Sequence, residues 1–360
     1  MARRVRIRDL QPDGTLSRAE FERRFRESFF DPAFEAVGPE LERVMAQAWD
    51  GYIQYRKSPR TRRAGARFAE PDEQLPVEWL AARAAIHAAE RRQRSRRSPA
   101  RILLISGSSR TSESCPGETS KTWRLCRMAE AVMRRAPRLE VDFLDLSLLA
   151  SQPGRRIFPC KACVSTAMPL CHWPCSCYPN HAMQQTGDWM AELYPRWAAA
   201  HGVMIVCPVN WYQAPSVLKL MIDRLVCADG GNPDPTTTHG KDVKRAKALE
   251  LRGWDYPRHL AGRLFSVVVH GDAAGAGTLR RSLVDWLADM GLVPAGPQAQ
   301  LDRYIGYWRD YATSHDDLDA DRDVQEEVRN AARELVNAVR LQRRGRLPRV
   351  DKGLKRTREK

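Results

Sequence analysis

Short apolar runs alternate with helical segments from residue 101 onward, and this alternation limits the possible folds more than any other feature. Four runs are interpreted as strands: 101–106, 139–146, 202–209 and 263–272. Helical segments follow them, ending with a long one at 319–342. Strands that alternate with helices predict a parallel sheet covered on both faces. With a last short strand near residue 300, five strands fit a compact doubly wound α/β domain.

Residues 1–99 show a different pattern. Three amphipathic helical segments lie at 16–30, 38–56 and 75–92, and Ser17 is a plausible cap of the first. The run 57–73 between them is interpreted as an irregular loop. The sequence therefore predicts a helical N-terminal extension at 1–99, an α/β domain at 100–342 and a basic C-terminal tail at 343–360.

The loops after three predicted strands carry the candidate binding residues, because ligands of open parallel sheets bind beyond the carboxyl ends of the strands. The segment 106–122 is rich in glycine, serine and threonine and leads into a helix N-terminus, which predicts a phosphate site. The segment 207–225 crowds proline, asparagine and two aromatic residues at one strand end, which suits a flat ligand. The segment 270–277 contains glycines that let the backbone approach a ligand closely.

The motifs GSSR…TSKT, PVNWYQAPSVLKLMIDR and HGDAAG resemble those of the NADPH-dependent FMN reductases, a group of flavodoxin-like oxidoreductases. The resemblance covers about residues 101–300 and implies a five-stranded sheet in the order 2-1-3-4-5. It implies FMN at the switch point of the sheet. The residues that it assigns to the FMN phosphate are Ser108, Arg110, Ser120, Lys121 and Thr122. Those that it assigns to the isoalloxazine ring are Pro208, Val209, Asn210, Trp211, Tyr212, Gly271 and Asp272.

The resemblance also implies an activity. Hydride would pass from NADPH or NADH to FMN, and the electrons would pass on to a small acceptor such as a quinone or a free flavin. No catalytic side chain is demanded, because the flavin carries the chemistry. Several flavodoxin-like reductases are dimers or tetramers, so a homo-oligomer is expected.

Five of the nine cysteines lie between residues 160 and 177. A [4Fe–4S] cluster on Cys160, Cys163, Cys171 and Cys175, or with Cys177 in place of Cys175, is one interpretation. It would make the protein an iron–sulfur flavoprotein that carries electrons. A structural zinc site that includes His172 or His181 is a second. Ordinary loop cysteines, or a redox-sensitive pair, are the third. In a flavodoxin-like sheet this connection is expected near the flavin.

The net charge of +15 is concentrated in basic runs at 91–97 and 340–360. Few aromatic residues interleave with these charges, so nucleic acid is an unlikely partner. A non-catalytic metal- or nucleic-acid-binding protein on the same fold is kept as an alternative. No apolar run is long enough to cross a membrane, and no apolar signal segment follows the N-terminal arginines, so a cytoplasmic protein is expected.

Overall fold

The computed structural model describes residues 7–8, 14–111, 113–114 and 118–347. The chain divides into two compact units. The N-terminal unit contains 1–84, 154–191 and 223–257, and the sheet unit contains 85–153, 192–222 and 258–360. Two later segments, 154–191 and 223–257, thus group with the N-terminal residues, which the sequence did not predict.

The helices are, in chain order, α1 (Arg18–Glu27), α2 (Gly38–Ile53), α3 (Val77–Arg94), α4 (Lys121–Arg134), α5 (Leu148–Ser151), α6 (Met190–Ala199), α7 (Ser216–Arg224), α8 (Val243–Leu251), α9 (Ala276–Asp289), α10 (Ser314–Ala320) and α11 (Arg322–Arg343). The strands are β1 (Thr61–Arg63), β2 (Gln74–Pro76), β3 (Ala100–Ser106), β4 (Leu139–Asp145), β5 (Gly202–Pro208), β6 (Leu264–Gly271), β7 (Val293–Pro294) and β8 (Gln300–Tyr304).

The sheet unit is built on a parallel sheet in the order β4-β3-β5-β6, and both β7 and β8 pair with β6. The predicted order 2-1-3-4-5 is therefore confirmed, with the fifth strand in two pieces. A short 3-10 turn at Pro297–Ala299 separates these pieces. Proline lacks the N–H that a continuous strand would donate, which explains the interruption.

The core of the sheet unit lies on both faces of β3, β5 and β6, whose side chains are almost all buried. On one face Ile102 and Val206 pack with Leu335 and Val339 of α11. Gly202 permits this close packing, because a Cβ there would lie 2.9 Å from Val339 Cγ2. Burial on both faces explains why these strands read as continuous apolar runs.

The last helical segment differs from the prediction. The sequence predicts one helix over 319–342, whereas the structure has α10 and α11 with a break at Asp321. The Asp321 carboxylate accepts a hydrogen bond from the Val324 N–H at 2.9 Å and so caps α11. An aspartate that caps a helix starts a new one, and this is why the single predicted helix is wrong.

The N-terminal unit begins with two helices. Ser17 Oγ accepts a hydrogen bond from the Glu20 N–H at 3.3 Å, so the predicted cap of α1 is confirmed. Phe21, Phe25 and Tyr52 are buried between α1 and α2. These contacts account for the amphipathic pattern of both helices.

The predicted irregular loop at 57–73 is wrong in part, because it contains β1, which pairs with β2 in an antiparallel ladder. All three residues of β1 are exposed. An exposed strand shows no apolar alternation, so its pairing partner, and not its own pattern, determines it.

Two further predictions concern the basic C-terminal tail and the absence of a membrane-spanning segment. Arg343 ends α11, and residues 348–360 of the predicted basic tail lie outside the described residues. Within the part of the chain that the structure describes, no helix combines the length and apolar character needed to cross a bilayer.

Candidate functional site

Three loops of the sheet unit follow the carboxyl ends of β3, β5 and β6. Their strands are parallel and in register, with Ser106 opposite Val206 and Pro208 opposite His270. The loops therefore leave the sheet at the same edge, as the sequence predicts. The twelve predicted cofactor residues all lie on these loops, at the strand ends or in the first turn of α4.

The loop between β3 and α4 presents buried hydroxyl groups. Ser108 Oγ accepts a hydrogen bond from the Arg110 N–H at 3.1 Å, and Ser120 Oγ accepts one from the Trp123 N–H at 3.1 Å. Ser120 is the N-cap of α4, a helix of 14 residues. Each hydroxyl accepts here, so its own O–H remains available to donate to an anion. Together with the positive end of the α4 dipole, these donors suit a phosphate.

Two cations accompany these hydroxyls. Arg110 forms an ion pair with Glu118 at 3.0 Å, and its hydrogen bond holds the pKa of Glu118 below its usual range. The Lys121 ammonium donates to Ser314 Oγ at 2.8 Å and lies 3.5 Å from the Asp272 carboxylate. Arg110 already holds a carboxylate in this loop, so its guanidinium is placed to bind oxygen anions.

His270 lies near the end of β6 and contacts the first turn of α4. Its Nε2 is 2.8 Å from Thr122 Oγ1, and its Nδ1 is buried with no hydrogen-bond partner among the described residues. Burial, with a smaller contribution from the Lys121 charge, lowers the pKa of His270 to about 3. The imidazole is therefore neutral at neutral pH, and it holds Thr122 rather than donating a proton as imidazolium.

The loop after β5 contains a tight turn with two aromatic residues at its centre. Asn210 and Gln213 exchange hydrogen bonds of 3.0 and 2.9 Å across it. Trp211 and Tyr212 both have positive φ, 46° and 64°, as a type I′ turn requires. Such turns favour Asn-Gly, so two aromatic residues there are strained. Trp211 is 95% exposed and Tyr212 60% exposed, so both rings face outward at the sheet edge.

The loop after β6 contacts the aromatic turn through glycines. Gly275 has φ +108°, and a Cβ there would lie 2.9 Å from Tyr212 Cα. A Cβ on Gly271 would lie 2.5 Å from Val209 Cγ1. Glycine is required at Gly275 because the backbone of the aromatic turn approaches it closely, and at Gly271 because the Val209 side chain occupies the place of a Cβ. The structure thus brings the second and third loops together, while Lys121 and Asp272 join the first to the third.

Sequence reasoning missed the residues that follow β8. Ser314 contacts Lys121, and His315 Nε2 lies 3.2 Å from the Glu118 carboxylate. Both belong to α10, which carries no motif. The only available signal was topological: β8 is parallel to β6, so the chain that follows it leaves the same edge of the sheet.

The sheet is doubly wound and parallel, in this strand order, and a loop rich in hydroxyl groups joins its first strand, β3, to α4. These features define a flavodoxin-like protein. The chain belongs to the NADPH-dependent FMN reductase family, whose model matches residues 100–304. The resemblance stated from the sequence is therefore confirmed. No curated protein sequence matches the chain.

Solved structures also match the chain. RosB with the bound intermediate 8-demethyl-8-formylriboflavin-5'-phosphate is 13% identical with a TM-score of 0.45, over 72% of this chain and 95% of that one. An oxidoreductase from Corynebacterium diphtheriae is 15% identical with a TM-score of 0.37, over 67% and 97%. The apo form of the NADH:FMN oxidoreductase EMOB is 14% identical with a TM-score of 0.36, over 66% and 89%.

The cysteine segment 160–177 lies in the N-terminal unit. Cys163 Sγ is 3.4 Å from Cys177 Sγ, and Cys160 Sγ accepts from the Ala162 N–H. The hydrogen bond with Cys177 lowers the pKa of Cys163 to about 6, with help from the Lys241 charge and against the effect of burial. Among the described residues, no group of three or more histidine, cysteine or acidic side chains is arranged to hold a metal ion.

One of the two histidines that the sequence offered for a zinc site, His172, is engaged elsewhere. His172 Nδ1 is 2.6 Å from Ser176 Oγ, and its Nε2 is 3.1 Å from Thr238 Oγ1. Both ring nitrogens are thus occupied by hydroxyls, and burial lowers the pKa of His172 well below its usual value. The structure brings Cys163 to Cys177, and a metal on the predicted cysteines stays a prediction.

Proposed function

We propose that this protein is an FMN-dependent oxidoreductase that takes hydride from NADPH or NADH and passes electrons to a small acceptor such as a quinone or a free flavin. The observation that supports it most is the set of buried hydroxyls and cations at the N-terminus of α4, beside an exposed aromatic turn. Phosphate and flat ring are the two parts of FMN that a protein must recognise. The donors and the aromatic faces fit these parts.

The residues of the first loop would hold the phosphate. Ser108 and Ser120 donate their O–H groups, the first turn of α4 donates free N–H groups, and Arg110 supplies a charge-assisted bond. To bind a phosphate oxygen, Arg110 would release its ion pair with the Glu118 carboxylate. The neutral His270 keeps Thr122 in place beneath the loop.

The second and third loops would hold the ring. Trp211 and Tyr212 offer aromatic faces, and the tight packing of Gly275 on Tyr212 fixes their backbone. When bound, FMN supplies the hydride-accepting ring and the capacity to carry two electrons. The chain's own contribution is to bind, orient and partly shield that ring, and none of its side chains is required as an acid or base.

Titration of the purified full-length chain with FMN and with riboflavin tests the proposal. Riboflavin lacks the phosphate, so we expect quenching of flavin fluorescence to show FMN binding about 100-fold more tightly, roughly 2.7 kcal/mol. Equal affinity for the two flavins, or no binding of either, contradicts the phosphate assignment.

A matched pair of serine variants sharpens this test. Ser120→Gly removes a hydroxyl from the phosphate-type loop, and Ser17→Gly removes the corresponding N-cap hydroxyl from α1. Glycine is a tolerated N-cap, so both cost only a few tenths of a kcal/mol in stability. We expect Ser120→Gly to weaken FMN binding about tenfold and Ser17→Gly to leave it unchanged. Steady-state oxidation of NADPH and of NADH with quinone and flavin acceptors then identifies the substrates, and absence of turnover with all of them contradicts the proposed activity.

A further inference from the structure

Two cysteine sulfurs of the N-terminal unit lie in contact without being bonded. Cys163 Sγ and Cys177 Sγ are 3.4 Å apart, and both residues are free cysteines. A disulfide has an S–S length of about 2.05 Å. The sulfurs therefore need to approach by little more than 1 Å, about the displacement that a small side-chain rotation provides. This geometry allows the reduced pair to form a disulfide with little movement.

A lysine joins both sulfurs. Lys241 Nζ lies 3.4 Å from Cys163 Sγ and 3.7 Å from Cys177 Sγ, and it donates to the Leu170 carbonyl. Among the described residues, no carboxylate lies within ion-pair distance of this ammonium. A partly buried ammonium without a carboxylate stabilises negative charge on the neighbouring sulfur. Thiolate, not thiol, is the nucleophilic form of cysteine.

The two cysteines differ in accessibility. Cys177 is buried, whereas Cys163 is partly exposed. The backbone beside Cys177 is also fixed, because the Lys57 ammonium donates to the Ser176 carbonyl at 2.8 Å. A small reagent from solvent therefore reacts with Cys163 first. Cys177 is then the resolving cysteine, which attacks the oxidised Cys163 sulfur.

We propose that Cys163 and Cys177 form a redox-active dithiol that hydroperoxides convert to a disulfide, with Lys241 as the group that favours the reactive thiolate. This site is separate from the proposed flavin chemistry and does not depend on it.

The reaction balances in two steps. The Cys163 thiolate attacks one oxygen of the hydroperoxide, so an S–O bond forms, the O–O bond breaks and the leaving oxygen takes a proton. This step leaves sulfenic acid on Cys163. The Cys177 sulfur then attacks the Cys163 sulfur, so the S–S bond forms, the S–O bond breaks and water leaves with the Cys177 proton. Two electrons pass from the thiols to the peroxide, and a dithiol reductant reverses the result.

The test treats the fully reduced full-length chain with hydrogen peroxide and follows intact mass and non-reduced peptide maps. We expect a loss of two hydrogen atoms and one Cys163–Cys177 cross-linked peptide, both reversed by dithiothreitol. A disulfide between Cys175 and Cys177, or no cross-link while other cysteines oxidise, overturns the proposal. This measurement needs no variant, so a folding defect cannot obscure it.

Variants then separate the roles of the residues. In Cys177→Ser we expect oxidation to stop at sulfenic acid on Cys163, trapped by dimedone, whereas Cys163→Ser forms neither product. Cys160→Ser is the matched control, since it removes a half-exposed cysteine of the same segment, and it should react as the unaltered chain does. Lys241→Gln should slow the peroxide reaction about tenfold at neutral pH, with circular dichroism as the check on folding. An unchanged rate overturns the role assigned to Lys241.

Discussion

The loops of the sheet unit and the cysteine segment of the N-terminal unit are both candidate chemical sites, but they are held in different ways. The loops extend from strand ends, and backbone geometry determines their shape: a strained turn at Trp211 and close packing at Gly275. The cysteine segment itself forms two short 3-10 turns, Cys163–Ser165 and Met168–Leu170, and no strand. Side chains distant in sequence hold it, including Lys57, Trp79 and Lys241.

The difference shows where stability resides in each region. A regular sheet supplies the backbone hydrogen bonds of the first region, so individual side chains there can remain exposed and serve a ligand. The second region depends on buried polar contacts, in which the loss of one partner leaves the other unsatisfied. We therefore expect substitutions in the cysteine segment to affect folding most, and substitutions in the aromatic turn to affect binding most.

The largest effect is expected at Arg224 of the N-terminal unit, which holds both ends of the cysteine segment: it donates to the Phe158 carbonyl at 2.9 Å and lies 4.6 Å from the centre of the Tyr178 ring. Its guanidinium is 1% exposed and forms two hydrogen bonds, of 2.9 and 2.6 Å, with the Asp188 carboxylate. Arg224→Met leaves that carboxylate buried without this partner, and we expect a loss of about 3–5 kcal/mol of unfolding free energy in urea. The control Arg26→Met breaks an exposed pair with Glu42, and it should have little measurable effect on urea unfolding.

A double variant tests the physical reason for this loss. Arg224→Met combined with Asp188→Leu removes both charges, and it should be less destabilised than Arg224→Met alone. Equal losses in Arg224→Met and Arg26→Met would show that the cysteine segment does not depend on buried polar contacts, and the comparison would fail.

An intermediate effect is expected at Gly275 of the sheet unit. Gly275→Ala places a Cβ 2.9 Å from Tyr212 Cα at a φ of +108°, and we expect a loss of about 2–3 kcal/mol together with weaker FMN binding. Gly262→Ala is the matched control, because its φ is +79° but nothing lies within 4 Å of its Cβ. It should cost about 1 kcal/mol and leave FMN binding unchanged. Equal effects of the two substitutions would mean that the contact between the loops carries no energy.

The smallest effect on stability is expected at Tyr212. Tyr212→Ala removes a ring that is 60% exposed, so we expect a change within about 0.5 kcal/mol in thermal or urea unfolding. FMN binding should weaken about fivefold, which corresponds to roughly 1 kcal/mol of aromatic contact. Tyr55→Ala is the control, since Tyr55 is 59% exposed and also has a positive φ, of 50°. If both variants bind FMN equally well, the aromatic turn has no part in flavin binding.

Sequence patterns predicted the sheet unit well, and for a specific reason. Strands buried on both faces, such as β3 and β5, must be apolar throughout. Their burial can therefore be predicted from the local sequence alone. The strand order followed from the family resemblance. The exposed strand β1 and the break at Asp321 escaped prediction because neither changes the apolar pattern.

Among the site residues, too, local features could be predicted from the sequence and long-range contacts could not. The start of a helix at Ser120 could be predicted, because this residue precedes an amphipathic run, and the structure places Ser120 as the N-cap of α4. Its role as a phosphate ligand is what the family resemblance implies, and it stays a prediction. The contact of Lys121 with Ser314, 193 residues later, could not be predicted. Cys160 and Cys163 look like a pair in the sequence, yet the sulfur that Cys163 contacts is that of Cys177.

The sequence by itself determined where the buried strands of the sheet unit form and that the loops after β3, β5 and β6 leave its carboxyl edge, because periodicity of burial is a local property of the chain. Only the tertiary structure decided which charges and sulfurs meet: Arg224 with Asp188, and Lys241 with Cys163, 78 residues away. Such contacts depend on the path of the whole chain through space, which the spacing of residues along one segment does not predict.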